Sequence, residues 1–262
     1  MLSRFTCTEK SLLPLIKKLE SKGIYPIIDY INENKQNYKE NFKKLINIPK
    51  DFPKSMIAIK LSSIYSNNDD KIMLKNKLEN IILSGLDNKC KFLIDAEDHN
   101  FHIKSDYNNL VNLMLENFNK DNVNVYKTYQ MYRKDSMDLL KYDINRSYVN
   151  NYFIGYKLVR GAYYFKDKNK NVLFNNILDT HANFDYGSLL ILNQMRVNDK
   201  LLLATHNENS INTILNLTET NPSIQKDSIS YSQLLGMSDN LTNKLANKNL
   251  KVYKYIPFGN LF

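Results

Sequence analysis

The chain has 262 residues, a hydrophobic fraction of 43% and a formal net charge of +9, enough for one barrel-sized domain of ~250 residues with a sizeable core. No run approaches the ~18 apolar residues of a membrane-spanning helix, and Met1–Glu9 lacks the apolar core of a secretory signal. Only Cys7 and Cys90 occur, outside any CxxC or His-rich setting, so no disulfide framework is implied, an intracellular compartment fits and no metal site is expected.

The lysines spread over many helices and do not cluster with aromatics, which fits a solvated surface better than attraction to an anionic membrane or a nucleic acid. The densest run, Lys166–Lys170, reads as an exposed loop. Nucleic-acid motifs are absent.

Residues 8–21 read as an amphipathic helix with Leu12, Leu13, Leu15, Ile16 and Leu19 on one side and Gly23 as its stop. Eight apolar runs follow: Ile24–Asp29, Met56–Lys60, Phe92–Asp95, Val123–Thr128, Phe153–Val159, Leu201–Thr205, Ile229–Ser232 and Val252–Ile256. Between them helical patterns lie at about 35–47, 69–84, 105–119, 133–149, 173–197, 207–219 and 236–247. Asp69, Asp70, Ser105, Asp106 and Asn207 suit helix starts, where a short polar side chain accepts from free backbone N–H groups.

Strand–helix alternation at ~30-residue spacing predicts parallel pairing through helical crossovers. Phe92–Asp95 and Leu201–Ala204 are continuously apolar, as strands covered on both faces should be. An open doubly wound sheet would need a glycine-rich phosphate loop after its first strand. Tyr30–Asn34 contains no glycine. The expected fold is therefore α/β, a (β/α)8 TIM-like barrel with an extra N-terminal helix, in one domain over residues 1–262. No helical pattern follows the eighth run before Phe262, so the eighth helix is expected to be missing, leaving an apolar face of the eighth strand exposed.

In such a barrel the reactive groups sit where strands end and βα loops begin. Lys60 and Asp95 end adjacent strands and can pair as ions. The segment 156–163 (YKLVRGAY) passes from strand into a small-residue turn carrying two cations; Gly161 and Ala162 admit a ligand phosphate to the backbone, and Lys157 or Arg160 supplies charge. A tight turn with a surface arginine would read the same way. Ala204-Thr205-His206-Asn207 places hydrogen-bonding groups at the sixth strand tip. Gln130 can bond a heterocycle edge or cap a helix, and Tyr255 can wall a pocket. No HxH or HExxH spacing points to metal.

Together KLVRGAY (157–163), ATHN (204–207), TYQMY (128–132), DAE (95–97), IKLS (59–62), QLLGM (233–237) and YKYIPFG (253–259) resemble proline dehydrogenase over nearly the whole chain. The resemblance implies a distorted barrel that holds FAD at its strand C-termini. It also implies oxidation of L-proline to 1-pyrroline-5-carboxylate, with electrons passed to a membrane quinone, so peripheral membrane association is one expected property. By the same resemblance Asp95 and Lys157 would be catalytic, with Lys157 beside flavin N5. Lys60 and Tyr255 would bind proline. Ile94, Gln130, Val159, Arg160, Gly161, Ala162, Thr180, Thr205, His206 and Asn207 would contact FAD. The family continues into an eighth helix with a Tyr…Arg-Arg…Glu-Asn pattern that grips the substrate carboxylate, which this chain is expected to lack. The alternative reading is a degenerate flavin- or ligand-binding barrel without turnover. The expected compartment is cytoplasmic, or mitochondrial by analogy with eukaryotic relatives.

Overall fold

In the computed structural model, which describes residues 5–32, 37–66 and 69–260, helix and strand alternate from Ile24 onward. The expected helix start at 35, residues 33 and 34 of the glycine-free loop, and the last two residues lie outside the described residues. The strands are β1 (Ile24–Asn32), β2 (Met56–Lys60), β3 (Lys91–Asp95), β4 (Val125–Gln130), β5 (Gly155–Val159), β6 (Lys200–Ala204), β7 (Ile229–Leu234) and β8 (Val252–Asn260). They run in chain order around a closed barrel, the (β/α)8 architecture that the spacing predicts. The described residues form two compact units, one made of those up to residue 95 and from 232 onward, the other of residues 96–231.

The first unit begins with α1 (Glu9–Glu20), which Thr8 starts by a capping box with Ser11. Helices α2 (Tyr38–Asp51), α3 (Leu61–Ile64) and α4 (Lys71–Leu86) follow. Asp70 caps α4 by accepting from Met73 N at 2.7 Å, whereas Asp69 pairs with Lys77 at 2.6 Å. β1 pairs with β2 on one side and, over nine residue pairs from Ile24 to Asn32, with β8 on the other. The apolar face of β8 is not exposed as expected: Val252, Tyr253, Ile256 and Phe258 are all buried. The helix at Asp239–Asn247 packs on β8, and so does α1, which contributes the buried Leu12 and Ile16 and also packs on β1. Cys7 adds backbone bonds to Pro257 O at 3.0 Å and from Gly259 N at 3.3 Å.

The second unit holds α5 (His99–Lys104), α6 (Tyr107–Phe118), α7 (Ser136–Val149), α8 (Tyr164–Asp167), α9 (Ile177–Gln194) and α10 (Glu208–Thr220); α11 (Asp239–Asn247) belongs to the first. β4 pairs with β5 and β5 with β6. β4 starts at Val125, two residues later than its apolar run, because Asn119 occupies the backbone there. Its Oδ1 accepts from Asn124 N and Val125 N, each at 2.9 Å, and its Nδ2 donates to Val125 O and Phe153 O at 2.9 and 3.0 Å. Behind β4, Lys127 donates to Asp143 at 2.6 Å and to Asn112 at 2.9 Å, all three fully buried. Full desolvation is tolerable only because each charge is paired and hydrogen-bonded.

Candidate active site

In the first unit the strand ends carry a compact charged cluster. Register places Lys60 beside Asp95, and Ile27 beside Tyr255. Lys60 Nζ donates to Asp29 Oδ1 at 2.5 Å and to Tyr255 Oη at 3.0 Å. Tyr255 Oη in turn donates to Asp95 Oδ2 at 2.7 Å, and the ammonium lies 4.0 Å from that same oxygen. The Tyr255 ring stands 5.5 Å under the ammonium. Burial pushes the Asp29 carboxyl up, opposed by Lys60 and reinforced by Asp95. Burial and both carboxylates push the Tyr255 hydroxyl well up, so it stays a donor. Asp29, missing from the sequence-based site, is 2% exposed at the centre of the cluster. Its signal was present: the first apolar run ends on it, as the second ends on Lys60.

In the second unit the β5 turn supplies Arg160. Its Nε donates to His181 Nδ1 at 2.7 Å, its Nη1 to Thr205 Oγ1 at 2.7 Å and its Nη2 to Ser210 Oγ at 2.9 Å. The guanidinium lies 4.4 Å over the Phe184 ring. None of the three acceptors is a carboxylate, and burial lowers the guanidinium pKa, opposed by Asp185. Among the described residues no carboxylate makes an ion pair with it. Gly161 follows with φ of +139°, and a Cβ there would fall 2.5 Å from the Tyr132 ring, so only glycine fits this turn. Tyr132 is held by its hydroxyl, which donates to buried Asp167 at 3.0 Å.

Of the other residues expected in this unit, Lys157 is 5% exposed on β5 beside Thr128 and Leu202. Val159 pairs with Gln130, whose Nε2 donates to Ala96 O and Glu97 O at 3.2 and 3.3 Å. Thr180 is buried on α9, one residue before His181. Thr205 also accepts from Asn207 N at 3.1 Å. Asn207 caps α10, its Oδ1 accepting from Ser210 N at 3.1 Å, so its side-chain oxygen serves the helix. His206 is half-buried and Ala162 exposed, while Ile94, on β3 of the first unit, is fully buried beside Ile59. His181, Ser210 and Phe184, which orient Arg160, were not picked out for that task. Residues three and four apart on a helix share a face, but the partner across the loop is set by tertiary structure.

One ammonium with two carboxylates at strand ends in the first unit, and in the second a guanidinium that meets no carboxylate among the described residues, are the charged groups at the strand tips of this (β/α)8 barrel. The family profile described as "Proline dehydrogenase" matches residues 12–262, and the chain belongs to that family. It is 32% identical over 185 residues to "Proline dehydrogenase 1, mitochondrial" of Dictyostelium discoideum, covering 64% of this chain and 31% of the relative. It is 30% identical over 197 residues to "Hydroxyproline dehydrogenase" of Xenopus laevis, covering 71% of this chain and 42% of the relative. The chain thus spans less than half the length of these curated relatives. Among solved structures, proline utilization A (PutA) from Bdellovibrio bacteriovorus, inactivated by N-propargylglycine, superposes with a TM-score of 0.83 at 18% identity, covering 98% of this chain and 30% of that one. At that identity the likeness speaks for the fold.

Proposed function

We propose that this chain catalyses the FAD-dependent oxidation of L-proline to 1-pyrroline-5-carboxylate and passes the electrons to a quinone, with residues 1–262 acting as one catalytic domain. The observation that carries the reading is the Asp29–Lys60–Asp95–Tyr255 cluster. Two carboxylates lie within ion-pair distance of one ammonium, at 2.5 and 4.0 Å. A zwitterionic amino acid suits a cluster carrying both signs of charge: its carboxylate would meet Lys60 and its ammonium a carboxylate. Asp95 is the carboxylate for this task, because Asp29 is committed to Lys60 at 2.5 Å. Tyr255 keeps its proton, fixes Asp95 Oδ2 and walls the pocket with its ring.

The second unit fits FAD. Arg160 is a half-buried cation with no carboxylate at ion-pair distance among the described residues, which favours an anionic or polar partner. Arg160, Gly161, Ala162, Val159, Gln130, Thr180, Thr205, His206 and Asn207 would hold the cofactor. Lys157 would place a cation where negative charge gathers on reduction. FAD, when bound, supplies the acceptor for hydride from the ring carbon next to nitrogen.

Anaerobic addition of L-proline to the purified protein, incubated with FAD and freed of unbound cofactor, tests the reading: bleaching of the yellow colour is expected. Yellow protein that does not bleach would mean a flavin-binding barrel without turnover, and colourless protein would remove FAD as well. Hydroxyproline in the same assay separates the two substrates named in the relatives. The Dictyostelium relative's name supports a mitochondrial compartment over a cytoplasmic one. No helix among the described residues is long and apolar enough to cross a membrane. Salt-dependent pelleting with anionic liposomes tests peripheral association.

A further inference from the structure

β4, α5, α6 and α7 of the second unit surround a small cavity lined by His102, Asn108, Thr128, Gln130, Arg133 and Ser136, among others. Its volume open to water centres is ≈ 10 Å³, about what one water molecule requires. Four polar atoms on its lining residues are buried and have no hydrogen-bond partner among the described residues: His102 Nδ1 and Nε2, Thr128 Oγ1 and Gln130 Oε1. Buried polar atoms are almost always satisfied, and three side chains orphaned around one cavity point to one shared partner.

The chemistry of the three groups is complementary to water. A neutral imidazole offers one donor and one acceptor, the threonine hydroxyl offers both, and Gln130 Oε1 only accepts. Gln130 cannot exchange its ends without cost, because its Nε2 donates to Ala96 O and Glu97 O. The His102 ring is fixed by Tyr107, stacked at 4.8 Å. The Tyr107 hydroxyl is itself tied to the Thr128 backbone, accepting from its N at 3.1 Å and donating to its O at 3.2 Å. Imidazole and hydroxyl are thus keyed to one residue. Burial and the nearby Arg133 and Lys127 cations keep the imidazole neutral, which preserves its acceptor nitrogen.

We infer that one bound water molecule occupies this cavity and joins His102, Thr128 and Gln130, so that His102 is a positioning residue for Gln130. The positioning role rests on Gln130 contacting the cofactor; the water site does not.

A crystal structure at a resolution that shows ordered water, for the full chain and for His102→Leu, tests the site. The expected result is one water within hydrogen-bond distance of at least two of the three side chains in the wild type, and its loss in His102→Leu. A dry cavity in the wild type, or the same water retained in the variant, would overturn the inference. FAD titration of the apoprotein tests positioning. The dissociation constant should rise roughly three- to tenfold in His102→Leu, the equivalent of one hydrogen bond, and return in His102→Asn. An unchanged constant in His102→Leu would refute positioning. An unchanged constant in Gln130→Leu would instead refute the cofactor contact and leave the water site standing on its own density.

Discussion

Asp29 and Asp95 share one lysine unequally: Asp29 Oδ1 accepts from Lys60 at 2.5 Å, whereas Asp95 Oδ2 stands 4.0 Å from it and accepts from Tyr255. One carboxylate therefore holds the cation directly, while the other is held by the tyrosine hydroxyl. Asp29→Asn should lower stability by about 1–3 kcal/mol, because a 2%-exposed anion is removed from a partly buried cation. Asp95→Asn should leave the melting temperature near wild type and impair L-proline turnover. Thermal unfolding and the bleaching assay on both variants check the division. Equal effects on both readouts would refute it.

Arg160 should govern cofactor affinity through its charge. Arg160→Met removes at least one charge-assisted contact of about 1.5–3 kcal/mol, so the FAD dissociation constant should rise roughly 10- to 150-fold. Arg160→Lys keeps the charge but cannot reach His181, Thr205 and Ser210 together, so its constant should lie between the two. Fluorescence titration of the apoproteins reads both values.

Much of this was legible in one dimension. The strand expectations at Met56–Lys60 and Phe92–Asp95 agree with β2 and β3 to within one residue, because these runs are apolar throughout and end on a charge. Lys60, Asp95 and Tyr255, distant in sequence, meet as their strand-tip positions imply. What was missed has a common cause. The role of Asp29, the fork that His181 and Ser210 make for Arg160, and the cover that α1 provides for β8 are all contacts across the fold, with no periodicity to announce them. The short helices α3, α5 and α8 escaped because four to six residues hold too few turns to show a 3.6-residue pattern.

Lys127→Met should be among the most damaging substitutions outside the site. It strips the cation from Asp143, which is 0% exposed and among the described residues keeps the Asn112 and Tyr129 donors. Breaking a buried pair from one side costs about 3–5 kcal/mol. The urea midpoint should fall accordingly, and a variant with an unchanged midpoint would show the pair to be energetically neutral.

His102 should make stability depend on acidity. Burial first, then the Arg133 and Lys127 cations, lower its pKa from 6.5 to about 4. Between those values the unfolded chain binds more protons than the folded one, so stability is fully present above pH 6.5 and falls as pH drops toward about 4. A difference of two to three pH units corresponds to on the order of 3 kcal/mol. His102→Gln should flatten that part of the pH–stability curve measured by urea unfolding; a curve of unchanged slope would locate the titration elsewhere.

Cys7 and α1 lie along the seam where the first and last strands run side by side for nine residue pairs. A protease cut or a deletion anywhere between Cys7 and Glu20 would strip the lagging from that seam and let its longest ladder fray. Affinity tags and fluorescent fusions therefore belong ahead of Phe5, and designs that replace the leading helix forfeit the closure it protects.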